Sequence, residues 1–196
     1  MKKIVTAAIF VFTTIISFAQ VSSESSTHLV FKGVPIDGTL REYTVKMEKN
    51  GFTHIDTEDG MAILQGDFAS YKNCFVAVLT QNQKDLVSKI TVTFPEQDTW
   101  SSLSSNFFSL KEMLTEKYGK PSEAVEEFDG PEPNTDNARM HQVRFDNCKY
   151  FTTYKTEKGS IQLSIEHDGI RSCNVQLAYY DKINGAKIKA KALDDL

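Results

Sequence analysis

The spacing of apolar positions predicts a short strand, a turn and a helix at the start of the folded region. His28–Phe31 is a brief apolar strand, and the stretch "KGVPIDG" turns the chain. Thr39 with Glu42 three residues later has the spacing of a capping box. The predicted apolar face of the helix contains Leu40, Tyr43 and Met47. Asn50-Gly51 then provides the left-handed residue that commonly ends a helix.

Strand patterns follow this helix. Ala62–Leu64 and Asp67–Tyr71 indicate one interrupted strand, and the continuous apolar run Cys74–Leu79 indicates a second. Between Leu86 and Phe94, apolar and polar residues alternate with a period of two, as in a strand with one buried face. The polar stretch "QNQKD" between the last two strands predicts a hairpin loop.

A second and longer amphipathic helix is predicted after Pro95. Asp98 and Thr99 are both candidates for its N-cap. Its apolar stripe, at spacings of three and four, comprises Trp100, Leu103, Phe107, Leu110 and Leu114. Gly119 and Pro121 indicate where it ends.

The remainder of the chain repeats the strand pattern. Ala124–Phe128 predicts a short strand, and the polar stretch 129–138 predicts a loop. Gln142–Phe145 and Lys149–Lys155 together indicate a long, bulged strand. Two further alternating strands are predicted at 161–166 and 175–180. The charged stretch Gly185–Leu196 is expected to be a frayed tail.

The two halves of the chain therefore have the same order of elements. We predict a tandem repeat with a first unit at 28–94 and a second at 95–184, each a helix followed by three or four antiparallel strands. The expected fold class is α+β, with an antiparallel sheet and two helices packed on one face. The two units could join in one sheet of up to about eight strands.

This tandem α-β4 layout resembles the beta-lactamase-inhibitor-protein-like (BLIP-like) fold, and outer-membrane assembly lipoproteins of the SmpA/OmlA type share a related half. The stretches "HLVFKGVPIDGTL", "KYGKP" and "VQLAYYDKIN" are similar to secreted gut-bacterial proteins of unknown function. The resemblance covers 28–184 and implies an extracytoplasmic binding module, either an inhibitor or an envelope factor. Known inhibitors of this fold bind through the concave open sheet face and hairpin tips. No inhibitory residue is carried over, because no contact motif matches.

The N-terminus predicts export. Lys2 and Lys3 precede an apolar run from Ile4 to Phe18, and Ser17-x-Ala19 fits signal-peptidase cleavage. We therefore predict a signal peptide at 1–19, a disordered leader at 20–27 and a periplasmic or extracellular location. An uncleaved membrane anchor is the alternative, but the run is short for a span of about 20 residues.

Charge and composition narrow the classes of partner. Apolar residues make up 40% and charged residues 24% of the 196 residues, as in ordinary globular proteins. Cleavage would remove Lys2 and Lys3 and take the net charge from −4 to −6. An acidic protein is a poor match for nucleic acid, so none is expected as a partner.

Three cysteines, Cys74, Cys148 and Cys173, leave at least one thiol unpaired within the chain. Cys148 with Cys173 is the candidate disulfide in an exported protein, and three buried free thiols are the other interpretation.

Catalytic and metal-binding motifs are not evident. The histidines, His28, His54, His141 and His167, lie in no hydrolase motif. The stretch "HIDTED" (54–59) and the acidic region 123–136 lack the ligand order of an EF-hand. The loop Gly33–Gly38 could bind an anion at a helix N-terminus, but a turn followed by a cap is favoured. We therefore expect a protein that is not an enzyme and has no cofactor or metal.

Tyrosines in the last strands are the candidate binding residues. Tyr150, Tyr154 and Tyr180 are expected on an outer sheet face, where exposed aromatic rings suit a protein interface. The sequence thus predicts an exported protein-binding module that is a monomer or weak dimer. The alternatives are a small exported hydrolase and an envelope assembly or structural factor.

Overall fold

The computed structural model describes residues 26–81, 84–169 and 172–194. The described residues form ten strands and four helices. The strands are β1 (Val30–Phe31), β2 (Val34–Pro35), β3 (Thr53–Glu58), β4 (Met61–Phe68), β5 (Tyr71–Gln81), β6 (Lys84–Thr93), β7 (Glu123–Phe128), β8 (Cys148–Thr156), β9 (Gly159–Asp168) and β10 (Ser172–Asp181). The helices are α1 (Leu40–Lys49), α2 (Trp100–Tyr118), α3 (Asp136–Arg144) and α4 (Lys182–Asp194). The predicted signal peptide and most of the predicted leader lie outside the described residues.

Eight strands form one antiparallel sheet in the order β3-β4-β5-β6-β10-β9-β8-β7. Each half of the sheet is a four-stranded meander from one predicted repeat. The last strand of each meander, β6 or β10, lies at the centre, and the two pair antiparallel from Gln176↔Thr93 to Tyr180↔Lys89. The predicted α+β class and the joining of two strand units in one sheet are confirmed. We call the β6–β10 pairing the central seam.

Helices α1, α2 and α3 cover one face of the sheet. Helix α1 packs on β4, β5 and β6, whereas α2 packs on β8, β9 and β10. The side chains beneath them form one continuous hydrophobic core that spans the seam. The predicted stripes of α1 and α2 are all buried in it.

The first helix begins as its sequence predicts. Thr39 Oγ1 accepts a hydrogen bond from the Glu42 N–H, and Glu42 Oε2 accepts one from the Thr39 N–H, which completes a capping box. Asp85 Oδ1 accepts a further bond from the Leu40 N–H at 2.7 Å. Side chains of the protein itself therefore occupy this helix N-terminus. The interpretation of Gly33–Gly38 as a turn that leads to a cap is confirmed.

The predicted loop at 129–138 holds only for 129–135, and the predicted strand Gln142–Phe145 is wrong, because Asp136–Arg144 forms α3. The predicted strand Lys149–Lys155 lies within β8. Thr135 caps this helix by accepting a bond from the Ala138 N–H at 3.2 Å. Met140 and Val143, three positions apart, are buried on its inner side. Asp136 also accepts bonds from the N–H groups of Trp100 and Ser101, so α3 is attached to the start of α2.

One further strand prediction is wrong, and one strand was not predicted. The proposed strand Asp67–Tyr71 is interrupted by a hairpin turn at Ala69 and Ser70, which have φ angles of 49° and 69°. Such angles are usual for glycine or asparagine, so these two residues carried no turn signal. Thr53–Glu58 forms the edge strand β3, which the sequence did not predict because every side chain in it is exposed.

The C-terminal segment, expected to be frayed, forms helix α4 over Lys182–Asp194. The predicted end of the second repeat, at 184, thus falls inside a helix. Asn184 is the buried residue of α4, and the helix packs near β6, β9 and β10. Among the described residues, no helix is both long and apolar enough to cross a membrane.

The base of α4 is held against the N-terminal hairpin by four side chains, which we call the terminal latch: His28, Asp37, Asp181 and Asn184. Asn184 Nδ2 donates to Ile36 O, Asp37 Oδ1 and Val87 O at 2.9 to 3.1 Å. Buried Asp181 accepts from the N–H groups of Leu29 and Asn184, each at 2.8 Å, and lies 3.0 Å from His28 Nδ1. Two of the stretches that carry the BLIP-like resemblance therefore meet here in space.

Candidate functional site

The sheet face opposite α1, α2 and α3, which we call the open face, has three rows of side chains across its central strands. Cross-strand neighbours share a face, so the register identifies them. One row contains Leu79, Lys89, Tyr180 and Ser160. The next contains Ala77, Thr91, Ala178 and Gln162, and the third contains Phe75, Thr93, Gln176 and Ser164. Of these twelve positions, Lys89 alone is charged.

Large apolar side chains project from the open face. Phe75 is 47% exposed, and Tyr180 and Met61 are each 36% exposed. Ile63 and Leu79 lie half-buried nearby. The Lys89 ammonium lies 5.0 Å from the centre of the Tyr180 ring, in a cation–π contact. An apolar centre depleted in charge and rich in hydroxyl and amide groups is the composition of many protein interfaces.

Tyr180 is where the sequence places it, on the open face, whereas the location predicted for Tyr154 is wrong. Tyr154 is 1% exposed and lies beneath α2. Its hydroxyl lies 2.9 Å from Thr115 Oγ1 and donates to Lys111 O at 3.0 Å. Period-two alternation identifies the residues that share a face but does not say which face the helices cover, and this caused the error.

The location predicted for Tyr150 is also wrong. It lies on the helix-covered side, with its ring centre 5.0 Å from that of Trp100 and 5.8 Å from that of Phe107. The side chain is half-buried, and burial raises the pKa of its phenol. Tyr150 and Tyr154 are thus packing residues and cannot contact a partner on the open face.

Phe75 is the open-face residue that the sequence analysis missed. The run "CFVAVL" was interpreted as continuously apolar, but Cys74, Val76 and Val78 point inward and are fully buried. Phe75 belongs to the residues between them, Phe75, Ala77 and Leu79, which point to the open face. The sequence feature that could have identified it is a large aromatic residue at an outward-facing position of a strand with one solvated face.

A cavity of about 520 Å³ lies on the other side of the molecule, between the two repeats. We call it the junction pocket. The β1–β2 hairpin, the end of β4, the end of α2, the β8–β9 turn and Tyr179 of β10 surround it. Its cationic lining residues are Lys32, Lys117 and Lys158, and its aromatic ones are Phe68, Tyr118 and Tyr179. These residues come from separate segments of the chain, so no sequence motif predicted the pocket.

Among the residues that the structure describes, the hydrogen bonds of the histidine rings are to Asp146, Gly169, Asp181 and Thr57. His167 Nε2 lies 2.9 Å from Asp146 Oδ1, and Nδ1 lies 3.0 Å from Gly169 O. The Asp146 carboxylate raises the pKa of His167 and favours the doubly protonated ring. The imidazole of His28 contacts Asp181, while the nearby Ser26 hydroxyl accepts a bond from the His28 backbone N–H instead.

All three cysteines are free thiols in the structure. Cys148 and Cys173 lie on β8 and β10, on either side of β9. Burial raises the pKa of Cys148 to about 12 and also raises the pKa values of Cys74 and Cys173. Thiols with raised pKa values are poor nucleophiles at neutral pH.

The acidic stretches have structural partners. Glu126 pairs with Lys111, Glu132 with Arg139 and Asp129 with Lys149. In "HIDTED", His54 Nε2 lies 2.7 Å from the Thr57 hydroxyl on the exposed edge strand. Within the described ranges, no group of three or more potential metal-ligating residues has the geometry to hold an ion.

No protein-family model, curated protein sequence or solved structure matches the chain. The BLIP-like resemblance therefore stays a prediction, and a function has to be proposed from the geometry of the open face.

Proposed function

We propose that the protein is an exported, non-enzymatic binding module that recognises a protein partner through the open face. The supporting observation is the exposed pair Phe75 and Tyr180, set among side chains that are almost uncharged. Aromatic residues dominate the energy of protein interfaces when they lie near the centre of the contact. Phe75 lies on β5 and Tyr180 on β10, on either side of β6, so one partner can cover both rings.

Pull-down from the periplasmic fraction and the culture medium tests the proposed surface. We expect Phe75→Ala and Tyr180→Ala each to weaken partner binding by about tenfold or more, as hot-spot substitutions do. Phe145→Ala is the matched control, because Phe145 is 51% exposed but lies at the end of α3, on the helix side. Equal recovery of the same partner by all three variants would overturn the open-face proposal.

Export has a separate test. The mass of the secreted or periplasmic protein should correspond to a chain that begins at Gln20, if cleavage follows Ala19. Recovery of the full-length chain in the membrane fraction would support the anchored alternative instead, and would leave the open-face test unaffected.

A further inference from the structure

We propose that the junction pocket binds an amphipathic organic anion, that is, an aromatic or acyl body with one carboxylate, sulfonate or phosphate group. This site lies outside the open face, so the inference goes beyond the proposed protein-binding function. Three observations carry it: the size of the cavity, its aromatic lining and its surplus of positive charge.

The cavity has the dimensions and lining of a small-molecule site. Its volume of about 520 Å³ falls within the range of roughly 300–1,000 Å³ that is usual for such sites. Phe68, Tyr118 and Tyr179 supply an apolar wall. Tyr179 is 4% exposed, and burial raises the pKa of its phenol, so this part of the wall stays uncharged at neutral pH.

Cations outnumber carboxylates among the side chains that line the pocket. Lys32, Lys117 and Lys158 line the pocket together with a single carboxylate, that of Glu157. Lys117 lies in the last turn of α2, where it offsets the partial negative charge of the helix C-terminus. Lys32 and Lys158 face this one lining carboxylate. Lys32 also lies near Asp67, outside the lining, whose pKa is lowered chiefly by its hydrogen bond to Lys72 and also by Lys32. The lining itself thus carries more positive than negative charge, on a chain whose overall charge is −4.

The ammonium groups are also available to a ligand. In the part of the chain that the structure describes, none of the three pairs with a carboxylate. The Lys117 ammonium lies 5.1 Å from the centre of the Tyr118 ring, and that of Lys32 lies 6.0 Å from the centre of the Phe52 ring. Two of the three cationic groups thus lie beside aromatic rings, an arrangement that suits an anion with an apolar body.

The backbone fixes the position of Lys32. The two-residue turn between β1 and β2 consists of Lys32 and Gly33, with φ angles of 49° and 79°. A left-handed conformation is uncommon for lysine. The glycine permits the tight turn, and the turn places the lysine at the pocket.

A matched pair of fluorescent probes tests the proposal. The probes are 8-anilinonaphthalene-1-sulfonate, which is an anion, and N-phenyl-1-naphthylamine, which has the same aromatic body without the sulfonate. We expect the folded full-length chain to bind the anion at one site and more tightly than the neutral probe. Each of Lys32→Gln, Lys117→Gln and Lys158→Gln should weaken binding of the anion by about fivefold, while leaving binding of the neutral probe unchanged.

Lys155→Gln is the control for charge. Lys155 is exposed on β8, next to the pocket residue Thr156, and its cross-strand neighbour Ser160 places it on the open face. Equal affinity for the two probes would overturn the proposal. So would a loss of affinity for the anionic probe that is as large in Lys155→Gln as in the pocket variants.

NMR of the unmodified protein gives a second measurement that needs no variant. Addition of the anionic probe should shift the signals of Phe68, Tyr118 and Tyr179. Shifts centred on Phe75 and Tyr180 would place the probe on the open face and refute the pocket assignment.

The two proposals can also fail separately. Phe75→Ala, which tests the open face, should leave probe binding at the pocket unchanged.

Discussion

The imidazole of His167 shows how a single residue here is stabilised in its charged form. Its two ring nitrogens face Asp146 Oδ1 and Gly169 O, and both oxygens accept hydrogen bonds. A ring that donates from both nitrogens is doubly protonated, so its folded-state pKa exceeds the ordinary value. The same contacts that hold the side chain remove the free nitrogen that a general base would need.

Stability should therefore depend on pH through this residue. Because the pKa of His167 is higher in the folded than in the unfolded protein, its contribution is complete below about pH 6.5, the unfolded value. It is lost as the pH rises through the folded pKa. The contribution should be below about 1 kcal/mol, since the Asp146 side chain is 89% exposed and solvent screens the pair.

Urea denaturation from pH 5.5 to 8.5 measures this effect. The difference in free energy of unfolding between wild type and His167→Gln should shrink as the pH rises. Asp146→Asn keeps the ring but removes the carboxylate, and should reduce the dependence in the same way. A difference that is constant over this range would show that Asp146 does not stabilise the imidazolium.

At the scale of elements, α4 is attached chiefly through the terminal latch. Asn184 donates to three acceptors that belong to the loop before α1 and to β6. Through this one Nδ2 group, the last helix is hydrogen-bonded to three acceptors of the first repeat, in addition to its packing against β6. Nothing in the pattern of apolar residues predicts this, because the anchor is polar and its partners are remote in sequence.

Asn184→Ala should destabilise the protein by about 2–3 kcal/mol, because it leaves buried carbonyl oxygens without their donor. Gly185→Ala is the control in the same helix. A Cβ at Gly185 meets no atom within 4 Å, so this change should be neutral or stabilising by up to about 1 kcal/mol. Urea denaturation of both variants is the measurement, and equal effects of the two substitutions would contradict the role assigned to Asn184.

The sequence predicted correctly those helices that have both a capping residue and a clear apolar stripe. Helices α1 and α2 carry caps and apolar stripes, and both begin where expected. Helix α3 also has a cap, at Thr135, but its short apolar face was interpreted as part of a strand. The turn at Ala69 and Ser70 has no local signal. On the open face, the outward position of Tyr180 agrees with the sequence expectation, whereas Phe75 and the pocket lysines depend on tertiary arrangement.

At the scale of the whole molecule, the central seam joins the two repeats. Leu177 of β10 is 1% exposed and pairs with Val92 of β6 and Leu163 of β9. Since the core is continuous across this line, neither half has a complete core without the other. The repeated order of elements in the sequence predicted two units, but periodicity does not specify which strands meet at the centre.

The two repeats should consequently unfold together. Trp100 lies in α2 and reports on the second repeat, whereas far-ultraviolet circular dichroism reports on both. We expect the two signals to give one coincident urea transition in wild type. Leu177→Ala should lower the free energy of unfolding by about 3 kcal/mol and keep the transitions coincident. A circular dichroism change that occurs separately from the Trp100 transition would show that the repeats are independent.

The seam also has a consequence for how the chain is made. Each residue of β6 in the seam pairs with a residue of β10 that lies more than 80 positions later. During translation, β6 therefore leaves the ribosome as an unpaired edge long before its neighbour is synthesised, and such edges promote aggregation. Lys89 lies in the middle of β6 and forms the last pair of the seam. Its charge can protect the nascent first repeat from pairing with another chain until β10 arrives to complete the sheet.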